Sequence, residues 1–251
     1  MIEERVDENL YAFPYGVYAK DIEAIVIADL HLGFEEALES SGIHVPISQY
    51  RKVKEMIFEA IGRYNPKRLI IAGDVKHEFA KASYEEWEEV TDLIKSLKGS
   101  VEEIRVVRGN HDNFLIPILK RLKVPLDDPL LKIGKCAIAH GHKEIRLENV
   151  KTLFIGHVHP AITIRGEFGE KTKFRCLVKG FIGSTKVYVL PAFSPYALGY
   201  DVLMEDNLSP ITKEMRNIEV IAVDEEAGIL SLGPLERIAK LIGRVQLGFE
   251  M

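Results

Sequence analysis

Three short apolar runs fix most of what this chain can become: EAIVIAD at 23–29, RLIIAG at 68–73 and IRVVR at 104–108. Each is too short for a helix; the first two are apolar enough to read as buried strands, and 104–108 reads as the third strand of the series. Between them lie two helix-length segments. Segment 48–64 places Val53, Met56, Ile57, Ala60, Ile61 and Tyr64 on one helical face, with Ser48 as its N-cap. Segment 83–97 opens with Ser83 and carries Glu86 three residues later, a capping-box pattern, ahead of a stripe formed by Trp87, Val90, Leu93, Ile94 and Leu97. Strand, helix, strand, helix, strand implies a parallel sheet covered by helices.

Beyond about residue 130 the texture changes. LKIGKCAIAH, TLFIGH, FRCLVKGF and STKVYVL are strand-like and closely spaced, with Gly-containing turns between them. Helical patterning returns only at 234–242, PLERIAKLI. The expectation is a mostly antiparallel second sheet packed on the first. No repeat, low-complexity tract or Pro/Gly/Ser-rich linker divides the chain, so residues 1–251 are expected to form a single domain.

Composition narrows the setting. No apolar run approaches the roughly 20 residues needed to span a bilayer, and the start, MIEERVDENL, is acidic and lacks a signal-peptide core. We therefore expect a cytoplasmic protein with no membrane contact. The net charge of -5 argues against a surface that coats nucleic acid generally, while leaving room for a local basic groove. Cys136 and Cys176 sit in strand-like runs and are expected to be buried free thiols.

The chemistry lies where the strands stop, which in open α/β sheets is where ligands bind. The strand ends read Asp29-Leu30-His31, Gly73-Asp74, Gly109-Asn110-His111-Asp112, His140-Gly141-His142 and Gly156-His157-Val158-His159. Six of the eight histidines fall in these motifs, and His77 follows Asp74 by three residues. One strand-end Asp is ordinarily a helix cap, and one Gly-Asn a turn. Five such ends delivering Asp, Asn and His to one edge call for another explanation. Borderline divalent ions such as manganese, iron and zinc accept mixed oxygen and imidazole donors, whereas calcium or magnesium would favour oxygen. Two ions about 3.5–4 Å apart need a carboxylate between them and largely neutral donors outside.

The series ADLH, AGD, RGNHD, AHGH and GHVH, spanning residues 28–159, resembles the motif set of the calcineurin-like metallophosphoesterases. The resemblance implies an α/β fold, a metallophosphoesterase-type β-sandwich of two mixed sheets flanked by α-helices. It implies two divalent ions, manganese first, with iron, zinc or nickel as alternatives. Asp29, His31, Asp74 and His159 would hold one ion, and Asp74, Asn110, His140 and His157 the other, with Asp74 bridging. His111 would protonate the leaving oxygen. Asp112 is expected to orient its loop or to act directly, and His142 to support the ligands or lie at the surface. Many relatives continue Gly-Asp-x-x-Asp, whereas this chain has His77 at the last position; that substitution, with LHLGFEEAL and GIHVP, looks like the SbcD-type DNA repair nucleases and a smaller related group. His77 is therefore a second catalytic candidate, and His44 in GIHVP a structural or rim residue.

The implied activity is hydrolysis of phosphodiester bonds, on nucleic acid or nucleotide substrates and with a DNA-repair protein as a conceivable partner. The alternatives are a small-molecule phosphodiesterase or phosphatase, for example on cyclic nucleotides, and a non-catalytic scaffold of the same fold. The large nucleases carry an additional C-terminal region for DNA, and little chain remains here after the second sheet. Two basic runs, Arg51/Lys52/Lys54 and Lys171/Lys173/Arg175, could line a phosphate path or simply be solvated faces; the loop 190–199, LPAFSPYALG, could wall a pocket or be a packed turn.

Overall fold

The computed structural model describes residues 2–40, 42, 48–78, 84–166, 168–197, 199–204 and 209–248. Two sheets carry the fold. The first runs in chain order: β1 (Glu4–Asp7), β2 (Leu10–Phe13), β3 (Gly16–Ala19), β4 (Ala24–Ile27), β5 (Arg68–Ile71), β6 (Glu103–Val107) and β7 (Leu126–Asp127). Its first four strands form an antiparallel meander, and β4 to β7 are parallel. The parallel part is the predicted one. The meander ahead of β4 was not expected; its strands are only four residues each, too short to show a period.

The second sheet comprises β8 (Leu130–Ile133), β9 (Cys136–Ala139), β10 (Thr152–Ile155), β11 (Pro160–Arg165), β12 (Lys171–Ile182), β13 (Thr185–Val189), β14 (Tyr200–Asp201), β15 (Arg216–Asp224) and β16 (Gly228–Pro234). Their order is β14-β11-β12-β13-β10-β9-β8, with β15 on β12 and β16 on β15. Most pairings are antiparallel, as expected. The centre is not: β9, β10 and β13 are mutually parallel, and two of them end at His140 and just before His157. Both sheets are therefore mixed.

The pleat explains the layering. Along β4, Ile25 and Ile27 pack with Val53, Ile57, Leu93 and Ile94 under helices α2 (Gln49–Tyr64) and α3 (Tyr84–Leu97). Ala24, Val26 and Ala28 face the other way and meet Ile138, Phe154, Leu177 and Tyr188 of the second sheet. The outer face of the second sheet is covered by Ile211, Met215 and, from α5 (Leu235–Gly248), Ile238. The result is helix, sheet, sheet, helix. Burying a Val, Leu or Ile side chain fully stabilises by about 1.5–3 kcal/mol, and strands buried on both faces give the strand ends a rigid base. A short helix, α4 (Ile116–Leu122), joins this layer through Ile118, Leu119 and Leu122, and another, α1 (Phe34–Ser40), follows the strand end at His31.

One helix start differs from the expected cap. Ser48 stands at the N-cap of α2 but makes no side-chain cap bond; its hydroxyl donates to Glu35 Oε1 at 3.3 Å, and Glu35 Oε2 caps Gln49 N at 2.6 Å instead. A carboxylate accepts from the orphan amide more strongly than a neutral hydroxyl does. Ser83 and His44 lie outside the described residues. Glu86 turns its carboxylate toward the loop after β5, where it accepts from two backbone amides. Both cysteines are free, Cys176 buried as expected and Cys136 only half-buried. Among the described residues no helix is long and apolar enough to cross a membrane.

Candidate metal centre

The ladder between β4 and β5 continues past the strands in irregular form. Asp29 N donates to Gly73 O (3.0 Å), His31 N to Asp74 O (3.0 Å), Leu32 N to Val75 O (2.9 Å) and His77 N to Leu32 O (2.8 Å). This zipper sets Asp29 and His31 beside Asp74. It also demands unusual backbone: Asp29, His31, Asp74, His157 and His159 all have positive φ, between 46° and 69°. A left-handed non-glycine residue costs on the order of 1–3 kcal/mol and persists only where its surroundings over-determine it. Five at one strand edge mark a site whose side-chain directions were retained despite the backbone cost.

Two groups of donors result. Asp29, His31 and His159 form one, and Asp74, His140 and His157 the other; within each, one ligand atom per residue lies within 4.8 Å of the rest. The groups adjoin: Asp74 Oδ2 is 3.2 Å from His140 Nε2 and 4.0 Å from His31 Nε2, so this carboxylate faces both. Asn110 Oδ1 lies 3.0 Å from His140 Nε2 and so joins the second group. His140 Nδ1 lies 2.9 Å from Ala72 O, which fixes a proton on Nδ1 and turns Nε2 toward Asp74, the nitrogen that would ligate once a cation displaces its proton.

These residues fit a pair of divalent ions. His31 Nε2 and His159 Nε2 face each other at 3.3 Å, an arrangement that places two imidazole lone pairs on one point unless one is protonated. Burial, and then the neighbouring His159, push His31 down to about 3, so it stands neutral and ready to ligate. His140 goes the other way: burial disfavours its charged form, yet Asp74 and Asp29 pull it up to about 9. A site that holds one imidazole neutral and draws positive charge to the next is built for cations. Asp29 and Asp74 are both buried; burial opposes their ionisation, and the histidines beside them more than offset it, so both are held below the usual carboxylate range.

The supporting contacts are largely invisible to local pattern. Asp112 is fully buried, and its carboxylate accepts from Asp74 N (2.8 Å), Val75 N (2.9 Å) and Gly109 N (2.8 Å), tying the loops after β5 and β6 together. Burial and the charge of Asp74 push it up to about 6, so at pH 7 it remains the acceptor that three donors require. Asp112 is thus a positioning residue. Gln49 is equally buried; Nε2 lies 2.9 Å from Leu30 O, His31 O and Ser194 Oγ, and Oε1 accepts from Phe34 N at 3.2 Å. Glu86 accepts from His77 N (3.1 Å) and Glu78 N (2.7 Å), and lies against the buried Lys76 at 3.9 Å. A scarce residue type was the only sequence signal for Gln49: the chain has two glutamines.

His111 N donates to Asp74 Oδ1 at 3.0 Å, and its Nδ1 lies 2.5 Å from the backbone oxygen of His77. The structure therefore gives His77 a carbonyl contact with His111 where many relatives are expected to use an Asp side chain. The His77 imidazole is half-buried, 4.2 Å from the Phe34 ring and 6.0 Å from that of His111. His142 is half-buried beside His140 and His157, at ring distances of 5.2 and 6.1 Å. The described part of the loop, 190–197, is packed: Phe193 enters the core, and Ser194 N donates to Asp29 O at 3.0 Å.

A helix, sheet, sheet, helix sandwich that gathers His and Asp donors at its strand ends defines a class of metal-binding α/β protein. The family model of the calcineurin-like phosphoesterases matches residues 23–153, more than half of the 251 residues, and the chain belongs to that family. No curated protein matches it in sequence. Among solved structures, Pseudomonas putida nuclease MPE is similar with a TM-score of 0.66 at 20% identity, covering 92% of this chain and 100% of that one. Yfce, a phosphoesterase from E. coli, is more distant: TM-score 0.39 at 16% identity, over 81% of this chain and 88% of that one. The first likeness shows a shared fold.

Proposed function

We propose that this protein is a dinuclear-metal phosphodiesterase acting on nucleic acid or nucleotide substrates. The observation that carries the proposal is Asp74, whose Oδ2 faces both donor groups while Oδ1 holds the backbone of His111. Asp29, His31, Asp74 and His159 would hold one ion, and Asp74, Asn110, His140 and His157 the other, with manganese the metal to try first. Such a pair supplies charge neutralisation at the phosphate and a water made nucleophilic near neutral pH. The chain's own residues do the rest. His111, with Nδ1 anchored on the His77 carbonyl, points Nε2 toward the site, 3.9 Å from Asp74 Oδ2. In its imidazolium form it carries the proton that the leaving oxygen needs. The His77 ring stacks beside it and, with Phe34, limits where the leaving group can sit.

The intact His111 supports catalysis over a scaffold role, since metal binding alone needs no acid. His77 supports the nuclease-like, SbcD-related reading, and the likeness in fold is to a protein named as a nuclease. A cytoplasmic setting and a DNA-repair partner belong to the same proposal. The test is manganese-dependent hydrolysis of bis(p-nitrophenyl) phosphate, p-nitrophenyl phosphate and labelled single-stranded DNA, with His111→Ala alongside. Cleavage of the diester and of DNA is expected. Loss of the acid should cost about 10²–10⁴-fold, and more on DNA than on the activated diester, because p-nitrophenolate leaves without a proton. Hydrolysis of the small diester alone would move the substrate to small molecules; silence on all three with metal bound would leave the scaffold.

A further inference from the structure

We propose that the β11–β12 hairpin is the path by which a single strand of nucleic acid reaches the metal centre, an inference that rests on the phosphodiesterase reading of that centre. The hairpin begins at Pro160, immediately after His159. Its register pairs Ala161 with Arg175, Thr163 with Lys173 and Arg165 with Lys171. Directly paired residues share a face, and the face repeats every second residue. Arg165, Lys171, Lys173 and Arg175 therefore form one stripe. The next residue of that phase, Leu177, lies in the core between the sheets, whereas Ile162 and Cys176 lie in the outer core. The stripe is thus on the inner side of the sheet, the side that meets the site.

Its inner end is fastened to the loop that lies on Asp29 and His159. Arg175 Nη2 donates to Ser194 O (3.0 Å) and Pro195 O (2.8 Å), and Ser194 N in turn donates to Asp29 O. Lys173 Nζ donates to Gly199 O at 2.5 Å, and Tyr200 N to His159 O at 2.8 Å. Both cations bond neutral carbonyls there, and Asp224 stands close enough to Arg175 to offset part of its charge. Arg165 and Lys171 stand farther out and are exposed, about 20 Å along the strand from His159 at about 3.3 Å per residue. Among the described residues, Glu170 is the acid beside them, and it turns its carboxylate onto the Phe168 amide at 3.1 Å. The other basic run is different in kind: Arg51, Lys52 and Lys54 pair with Glu55, Glu225 and Asp92 at 3.0, 2.8 and 2.6 Å.

Two exposed rings flank the hairpin, one at its tip and one on β14, which pairs with Pro160 in the phase opposite to the stripe and stands beside His159. Tyr200 is 43% exposed with its ring 6.5 Å from that of His159, and Phe168 at the hairpin tip is 96% exposed. Cations that track a backbone, flanked by open aromatic faces, are how sequence-tolerant single-strand sites are built. A duplex keeps its bases stacked on one another and has no use for the rings.

The test compares two double charge reversals of equal size in the full chain, Arg165→Glu/Lys171→Glu and Arg51→Glu/Lys54→Glu. The readouts are kcat/KM on a labelled single-stranded oligonucleotide relative to bis(p-nitrophenyl) phosphate, and oligonucleotide binding by fluorescence anisotropy. The hairpin variant should lower the oligonucleotide-to-diester ratio at least tenfold. It should also flatten the slope of log kcat/KM against log salt by about 1.4, at about 0.7 per lost single-strand phosphate contact. The helix variant should keep the wild-type ratio. Equal ratios in both variants would overturn the hairpin path, as would tighter binding of duplex than of single strand. Hydrolysis of the diester with no binding of the oligonucleotide would overturn the path and leave the metal centre standing. If no substrate is hydrolysed, the phosphodiesterase reading fails; salt-sensitive binding lost only in the hairpin variant would still support the path, and no binding would overturn it.

Discussion

Replacing Asp112 with Ala removes one carboxylate and strands three buried amides, those of Asp74, Val75 and Gly109, which it accepts at 2.8–2.9 Å. An unsatisfied buried donor costs about 1–3 kcal/mol. Relief of the repulsion from Asp74 and entry of water into the vacated space offset part of the sum, so a net loss of about 3–5 kcal/mol is expected. For a chain of this size each kcal/mol shifts Tm by about 2–4 °C, so calorimetry should show a fall of at least about 6 °C. Two loops lose their tie at once, and Asp74 and Asn110 stand on those loops, so manganese per chain should fall as well. Asp112→Asn keeps the shape but turns an NH2 group toward one of the three donors, and should land between wild type and Ala. A Tm change under about 2 °C with full metal content in Asp112→Ala would refute the positioning role.

Three further outcomes are expected. Gln49→Leu keeps the bulk but leaves Leu30 O, His31 O and the Phe34 amide without their partner; Tm should drop, and metal titration should show the Asp29/His31 site weakening before the other. In Gly109→Ala the new Cβ would lie 2.1 Å from Asp74 Oδ1 and 2.3 Å from Asp74 N; backbone cannot step aside as a flexible side chain can, so the variant should lose metal, which elemental analysis would read. At Asp7, burial works against ionisation, but bonds from Lys186 and Tyr188 prevail and hold it at about 2. A depressed carboxylate stabilises above its unfolded pKa of about 3.9 and loses that contribution as pH falls toward the folded value. The Tm gap between wild type and Asp7→Asn should be full at pH 6 and close between about pH 4 and 2.

The donors were legible because each sits where a recognisable strand runs out. EAIVIAD and RLIIAG signal buried strands by themselves, IRVVR a third strand, and the residues just past each strand are placed by short-range sequence. The parallel core of the first sheet and helices α2 and α3 came from periodicity and match the structure to within a few residues at each end. Of the residues that hold the donors in place, only Asp112 was expected, as one that orients its loop, and the partners it reaches were not legible. Asp112 reaches back 38 residues to Asp74, and Gln49 reaches forward 145 to Ser194. Such contacts exist only once the sheets have closed, and nothing in the neighbouring sequence marks them. Glu86 shows the same limit: a capping pattern placed it correctly on a helix start, while its carboxylate serves a loop brought near by β5. The left-handed backbone of His31, His157 and His159 was equally hidden, since glycine is the usual sign of such turns and none of these is glycine.

The central claim is that Asp74 joins two ions. The most direct measurement is manganese per chain by elemental analysis after saturation and desalting, in the wild type and in Asp74→Ala. Two ions per chain in the wild type and fewer than one in Asp74→Ala would be the predicted result. Two ions retained in Asp74→Ala, or a wild type that never takes up more than one, would contradict it.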